Sequence, residues 1–216
     1  MRPAYGRVTL RPLEEFSDAD WRRLQSHFRD PEIAYLNGTP PNRMPLWLLK
    51  RLLKTDSKRS DRATFGIFDE CDDFIGTTEL YDVRGEVGTL GIIIGERTHW
   101  AGGYGPEAMH ALLGYAFDVL GLRTIKLNTF GDNLRAQRAF RKVGFHEVDR
   151  RPDAEGRMDV RMELLRAEWH PGPSSRLGSA PTPTPFGTPA DALPTAHDDA
   201  TTDPAIARRQ SSDPSK

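Results

Sequence analysis

The sequence predicts a mixed α+β domain: a mostly antiparallel, twisted sheet of about seven strands with helices on both faces. Three observations predict it. Short apolar or alternating runs at residues 63–68, 74–81 and 87–94 follow one another across polar turns, as in an antiparallel meander. Two stretches after them, beginning near Ala108 and Leu134, repeat apolar residues at helical period and bracket a further strand at 124–129. That is the pattern of a β-α-β crossover. Two final strands, 145–151 and 157–165, close the order as β-α-α-α-β-β-β-α-β-α-β-β, which fits a sheet covered on both sides.

Each element has a local reason. Residues 7–11 alternate as a strand and stop at Pro12. Ser17 and Asp18 cap a helix whose Trp21, Leu24, Gln25 and Phe28 fall at helical spacing. Asp30-Pro31 ends it, and a short helix covers residues 32–36. Pro45 opens a third helix with Leu46, Leu49, Leu52 and Leu53 turned inward and a basic outer face of Lys50, Arg51 and Lys54. Ile92, Ile93 and Ile94 form a continuous apolar run, which predicts a strand buried on both faces. The helix that follows is predicted to begin at Pro106 and to stop at Gly121. The next places Leu134, Phe140 and Val143 inward and ends at Gly144. Residues 1–170 therefore make the domain. From Pro171 to the last residue the composition is mostly Pro, Ser, Thr, Ala, Gly and Asp, with Phe186 the only aromatic, so residues 171–216 are expected to be a disordered tail.

Composition excludes several functions. Thirty basic and 31 acidic residues give a net charge of −1, so neither a nucleic-acid surface nor a membrane surface is expected as partner. A single cysteine, Cys71, excludes an internal disulfide and a multi-cysteine metal site, and fits a reducing compartment. No long apolar run or leader pattern is present, so the expected location is the cytoplasm and no metal is expected.

The chemistry is concentrated in Trp100-Ala101-Gly102-Gly103-Tyr104-Gly105-Pro106. Glycines leave backbone N–H groups bare, and a helix N-terminus behind them favours negative charge, so the loop suits a phosphorylated cofactor. A dinucleotide fingerprint fits only formally: residues 95–102 separate the strand from Gly103, and the next strand ends in Asn128-Thr129 without an acid. A Walker loop is excluded because no lysine is present.

Read with the block Asn133-Leu134-Arg135-Ala136 through Gly144-Phe145, the loop resembles that of the GNAT superfamily of acetyl-coenzyme A-dependent N-acetyltransferases. The likeness spans about residues 5–167 and is nearest to the ribosomal-protein N-terminal (alanine/serine) acetyltransferase branch, where tryptophan is common at the position of Trp100. The resemblance implies a GNAT-like sheet whose strands splay at the cofactor site. It implies that Trp100, Ala101, Gly102, Gly103, Tyr104, Gly105 and Pro106 hold the pyrophosphate of acetyl-CoA, with the amides of residues 102–105 carrying most of the binding because Pro106 has no N–H. Ile92, Ile93 and Ile94 would pair with the pantetheine arm, and Asn133 would contact the cofactor or cap its helix.

The implied reaction is direct transfer of an acetyl group from acetyl-CoA to a primary amine, a protein N-terminus or a small molecule, within a ternary complex. Glu79 is the candidate general base, on the strand before the central one; the alternative is a cross-strand surface partner. His99 and Asn128 are expected to line the substrate cleft. The positions that carry an acidic hydroxyl in many family members are Ala136 and Phe140 here, which keeps a non-catalytic acyl-CoA-binding module as the alternative. Asp30, Glu32 and Glu79 are the groups expected to attract a cationic acceptor. A homodimer is one assembly open to such a fold.

Overall fold

A computed structural model describes residues 1–170 and 175–177. Nine strands form one sheet: β1 (Pro3–Tyr5), β2 (Val8–Pro12), β3 (Ala63–Phe68), β4 (Phe74–Arg84), β5 (Val87–Ile94), β6 (Thr124–Phe130), β7 (His146–Pro152), β8 (Met158–Leu165) and β9 (Ser175–Leu177). Their spatial order is β7-β8-β6-β5-β4-β3-β2-β1-β9. Every neighbouring pair is antiparallel except β5 with β6, which the crossover makes parallel. Five α-helices accompany the sheet: α1 (Asp18–Arg29), α2 (Pro31–Leu36), α3 (Leu46–Asp56), α4 (Tyr104–Gly114) and α5 (Leu134–Val143). The two strands beyond the expected seven are the three-residue β1 and β9. β9 falls inside the expected tail and pairs with β1; the rest of that tail lies outside the described residues.

Local chemistry explains the helix boundaries. Ser17 and Asp20 form a reciprocal capping box at the start of α1. Asp30 ends α1 and caps α2 by accepting from the N–H groups of Glu32 and Ile33, with Pro31 spending no donor. In α3 only Leu49 is fully buried, while Leu46 and Leu53 pack against a small cluster of Leu13, Trp21, Leu24, Phe68 and Phe74. Leu52 departs from expectation and is exposed, because it lies one residue off the narrow stripe made by Leu46, Leu49 and Leu53. Leu134 is also exposed. It lies six residues before Phe140, about 120° round the helix from that buried face.

The helix after the glycine loop starts earlier than expected. Gly103, at φ +90°, is its N-cap, so Pro106 is the third helical residue and still within the turn that needs no N–H partner. The same path continues as a π-helical segment over Tyr115–Val119 before Gly121 turns away at φ +69°. The main core lies between α4, α5 and one sheet face, where Leu10, Ile67, Leu80, Leu112, Ile125 and Leu164 are fully buried. Each contributes roughly 1.5–3 kcal/mol relative to exposure. Ile92, Ile93 and Ile94 are only half-buried, contrary to the two-sided burial expected from their run. The reason lies in the partner strand.

Candidate active site

β5 keeps its antiparallel register with β4 as far as Gly76↔Ile94, but its parallel pairing with β6 stops at Thr89↔Lys126. Beyond that point β6 runs on with β8 to Phe130, and the two central strands part. The gap leaves one edge of residues 90–94 without a ladder partner in the middle of the sheet. Two cavities meet there, both touching Ile33, Asn37, Ile92 and Ile93. The larger encloses about 390 Å³ between the glycine loop, α4 and α5; the smaller encloses about 170 Å³ under α1, α3 and the loop of residues 37–44.

The larger cavity is built from the glycine loop. Ala101, at φ +64°, and Gly103, at φ +90°, both adopt left-handed backbone, which turns the chain sharply into α4. For Ala101 this conformation is strained. Among the described residues no protein acceptor takes the N–H of Ala101, Gly103, Tyr104 or Gly105, whereas Gly102 donates a long bond of 3.4 Å to the His99 carbonyl. The bare amides sit at the positive end of α4. At Gly105 an added Cβ would meet only Ile94 Cγ1, at 3.9 Å, so the backbone there borders open space.

The loop is braced from behind. The Arg7 N–H donates to Glu107 Oε2 at 2.7 Å, and its Nη2 donates to Glu107 Oε1 at 2.6 Å and to the Gly102 carbonyl at 2.7 Å. The same guanidinium lies 4.1 Å over the Tyr104 ring, whose hydroxyl donates to Glu70 at 3.0 Å. Gly102 and Tyr104 are thereby outside the cavity lining, while Trp100, Ala101, Gly103, Gly105 and Pro106 are in it. Trp100 Nε1 donates to the Ile94 carbonyl at 2.7 Å, which ties the loop to the end of β5.

The opposite wall is α5. Asn133 lines the cavity and caps α5, its Oδ1 accepting from the Ala136 N–H at 3.2 Å, so the capping role is realised. Arg135, Arg138 and Lys142 line the same cavity, and the Arg135 guanidinium stacks 3.4 Å from the Trp100 ring centroid. Burial lowers the Arg135 pKa from its ordinary value. The sequence reading missed these three cations. Their spacing of three and four residues puts them on one helical face, but basic residues on an exposed helix face are too common to single out. Bare amides, a helix N-terminus and three cations around a narrow cavity fit a phosphorylated group.

The remaining candidates divide. Glu79 lines the smaller cavity, and its Oε2 accepts from Arg62 Nη1 at 3.0 Å. Burial pushes its carboxyl up from the ordinary range, and Arg62 opposes part of that shift. His99 reaches the larger cavity, but both ring nitrogens are engaged, Nε2 with Asp69 at 3.0 Å and Nδ1 with Thr98 at 3.1 Å. Burial raises the Asp69 carboxyl, and the N–H groups of Asp73 and Cys71 together with His99 more than reverse it, leaving the pKa lowered. Asn128 is not brought to either cavity: it is an exposed residue of β6 opposite Arg161 on β8, because the side chains alternate and the core takes Leu127 and Thr129. Asp30 and Glu32 are both held by Arg97, at 2.8 and 2.5 Å, so neither is an open carboxylate. Ala136 and Phe140 line the larger cavity and bring no ionisable group to it.

Residues 7–146 match the family model described as acetyltransferase (GNAT) domain. The chain belongs to the GNAT acetyltransferase family. It is therefore an acetyl-CoA-dependent acyltransferase. The uncharacterized N-acetyltransferase p20 of Bacillus licheniformis is 30% identical over 173 residues, covering 76% of this chain and 95% of that protein. Among solved structures, a spermidine N-acetyltransferase from Vibrio cholerae in complex with CoA and spermine superposes with a TM-score of 0.67 at 21% identity, over 75% of this chain and 97% of that one. A GNAT-family acetyltransferase from Bacillus anthracis does so with a TM-score of 0.66 at 15% identity, over 78% and 100%. These two likenesses concern the fold. No helix among the described residues of this GNAT protein is long and apolar enough to cross a membrane.

Proposed function

We propose that this protein acetylates the primary amine of a small molecule, with acetyl-CoA in the larger cavity and the acceptor in the smaller one. The observation that carries the reading is the meeting of the two cavities at the parted strands, with Glu79 on the acceptor side. The smaller cavity, about 170 Å³, lies below the range of roughly 300–1,000 Å³ usual for drug-sized ligands. That size favours a small amine over the polypeptide N-terminus suggested by the ribosomal-protein branch, and none of the relatives named above carries that branch's name. The spermidine acetyltransferase of similar fold is a further reason to favour a small amine.

In this reading the amides of Ala101, Gly103 and Gly105, which line the cavity, receive the pyrophosphate, with Arg135, Arg138 and Lys142 supplying countercharge. Asn133, Trp100 and Pro106 line the same channel, and Ile92, Ile93 and Ile94 offer the edge that has no ladder partner to the pantetheine arm, except for the Ile94 carbonyl that Trp100 Nε1 occupies. When bound, acetyl-CoA supplies the acetyl thioester. The amine nitrogen attacks with its lone pair only when deprotonated, and Glu79 accepts that proton. The Glu79 side chain is partly buried, and that burial raises its carboxyl against the opposing pull of Arg62, which makes it a stronger base than a free carboxylate. No side chain at Ala136 or Phe140 protonates the departing sulfur; a thiol pKa of about 8.5 allows it to leave as thiolate. His99, with both ring nitrogens engaged, is a structural brace of the loop. The reaction takes place in the cytoplasm, which suits the exposed free Cys71.

Thiol release from acetyl-CoA with a panel of small amines tests the proposal. Amine-dependent release supports it; saturable acetyl-CoA binding with no release for any amine or peptide would favour the non-catalytic module instead.

A further inference from the structure

The charge and shape of the smaller cavity specify more than an amine. Its wall is mainly apolar, with Leu24, Phe28, Ile33 and Met44 among the lining residues. The carboxylates that line it are Asp56 and Glu79, and both are already shared by one guanidinium: Arg62 Nη1 lies 3.0 Å from Glu79 and 3.6 Å from Asp56. Arg43 adds a second cation to the lining. An acceptor with several positive centres would need a separate open carboxylate for each once water is excluded, and the cavity has none to spare.

Arg62 itself is under-satisfied. Its side chain is 16% exposed and lines the cavity, and among the described residues only Nη1 donates to a protein acceptor, which leaves Nη2 without one. A planar guanidinium with donors left over in an apolar cavity is matched by a carboxylate, which accepts two parallel N–H bonds. Asp56 and Glu79 already balance the charge of Arg62 and Arg43, so a zwitterionic acceptor keeps the lining neutral where a polycation does not.

From this juxtaposition we infer that the acceptor is a compact amine with an apolar body and a carboxylate, the chemistry of an apolar α-amino acid, and that Arg62 holds the carboxylate. The inference rests on the smaller cavity being the acceptor site. Arg62 is then a specificity-determining residue: it distinguishes an amino acid from the amine of the same shape that lacks the acid group.

The test uses the full chain with acetyl-CoA and four acceptors: leucine, isopentylamine, leucinamide and spermidine. The inference predicts a kcat/KM for leucine at least about tenfold above isopentylamine and above spermidine, with leucinamide between. In Arg62→Gln the ratio of leucine to isopentylamine falls to near one, and Arg62→Lys restores part of it. Turnover of spermidine or isopentylamine in preference to leucine overturns the inference while leaving acetyl transfer to small amines intact. A leucine preference unchanged in Arg62→Gln removes Arg62 from the role. Turnover of leucinamide above leucine overturns the inference too, and assigns an amine flanked by an amide, as in a peptide N-terminus, instead. Failure of all four amines sinks the acceptor reading together with the inference. If the glutamine variant does not fold, the comparison of leucine with isopentylamine on the unaltered chain decides alone.

Discussion

Glu79 and Gly105 carry the sharpest consequences at the scale of single residues. Burial raises the Glu79 carboxyl above its usual value of 4.5, so the folded chain binds this proton more tightly than the unfolded one. The associated stability is fully present below pH 4.5 and is lost as pH rises through the raised value. The difference in unfolding free energy between the native chain and Glu79→Gln should therefore decline with rising pH across that window, as chemical denaturation at several pH values would reveal. The same shift predicts that the acid limb of kcat/KM lies above the ordinary carboxylate range and disappears in Glu79→Gln, with a rate loss of about 10²–10⁴-fold if Glu79 takes the amine proton. At Gly105 the backbone is helical and a Cβ meets nothing closer than 3.9 Å, so Gly105→Leu should keep its melting temperature within a few degrees while filling the cradle. Gly103 is a poorer probe, since its φ of +90° penalises any side chain whatever the cavity needs.

At the scale of elements, the loop between β5 and α4 is held by a strand turn almost a hundred residues upstream. Arg7 spends its N–H and its guanidinium on Glu107 and Gly102, and its plane on Tyr104. Arg7→Ala should loosen the loop and raise the acetyl-CoA dissociation constant several-fold without touching the cavity lining, a change that calorimetric titration would resolve. Arg135→Ala should also weaken binding, by about two- to thirty-fold if its stack on Trp100 and its charge are worth about 0.5–2 kcal/mol. Elements with a local signal were legible in the sequence: Ser17, Asp30 and Gly144 sit where capping chemistry put them, and the strand and helix order agrees apart from the short β1 and β9. What was not legible depends on distant partners. The run Ile92-Ile93-Ile94 reads as doubly buried because nothing local says that β6 turns away after Lys126. Asp30 and Glu32 read as free carboxylates because their partner, Arg97, lies far along the chain. Asn128 was placed at a strand tip near the cleft, yet alternation carries it to the exposed face.

At the scale of the molecule, the fold acts as a frame that parts two central strands and places one cavity on either side of the gap. The glycine loop, Asn133 and the pairing of the two sequence blocks made the lining of the larger cavity, the proposed cofactor site, legible in the sequence, since those residues are close along the chain. The smaller cavity, the proposed acceptor site, is assembled from α1, α3, the 37–44 loop and the middle of β4, so its chemistry emerges only in three dimensions. A ligand that binds only the folded chain raises its melting temperature, by an amount set by concentration over the dissociation constant. The most direct test of the central claim is therefore a titration of acetyl-CoA into the unaltered chain and into Gly105→Leu, with melting temperatures measured for both. The account predicts saturable binding and thermal stabilisation of the unaltered chain, and loss of both in a Gly105→Leu variant whose ligand-free melting temperature is preserved. Equal acetyl-CoA affinity in the two proteins would contradict it.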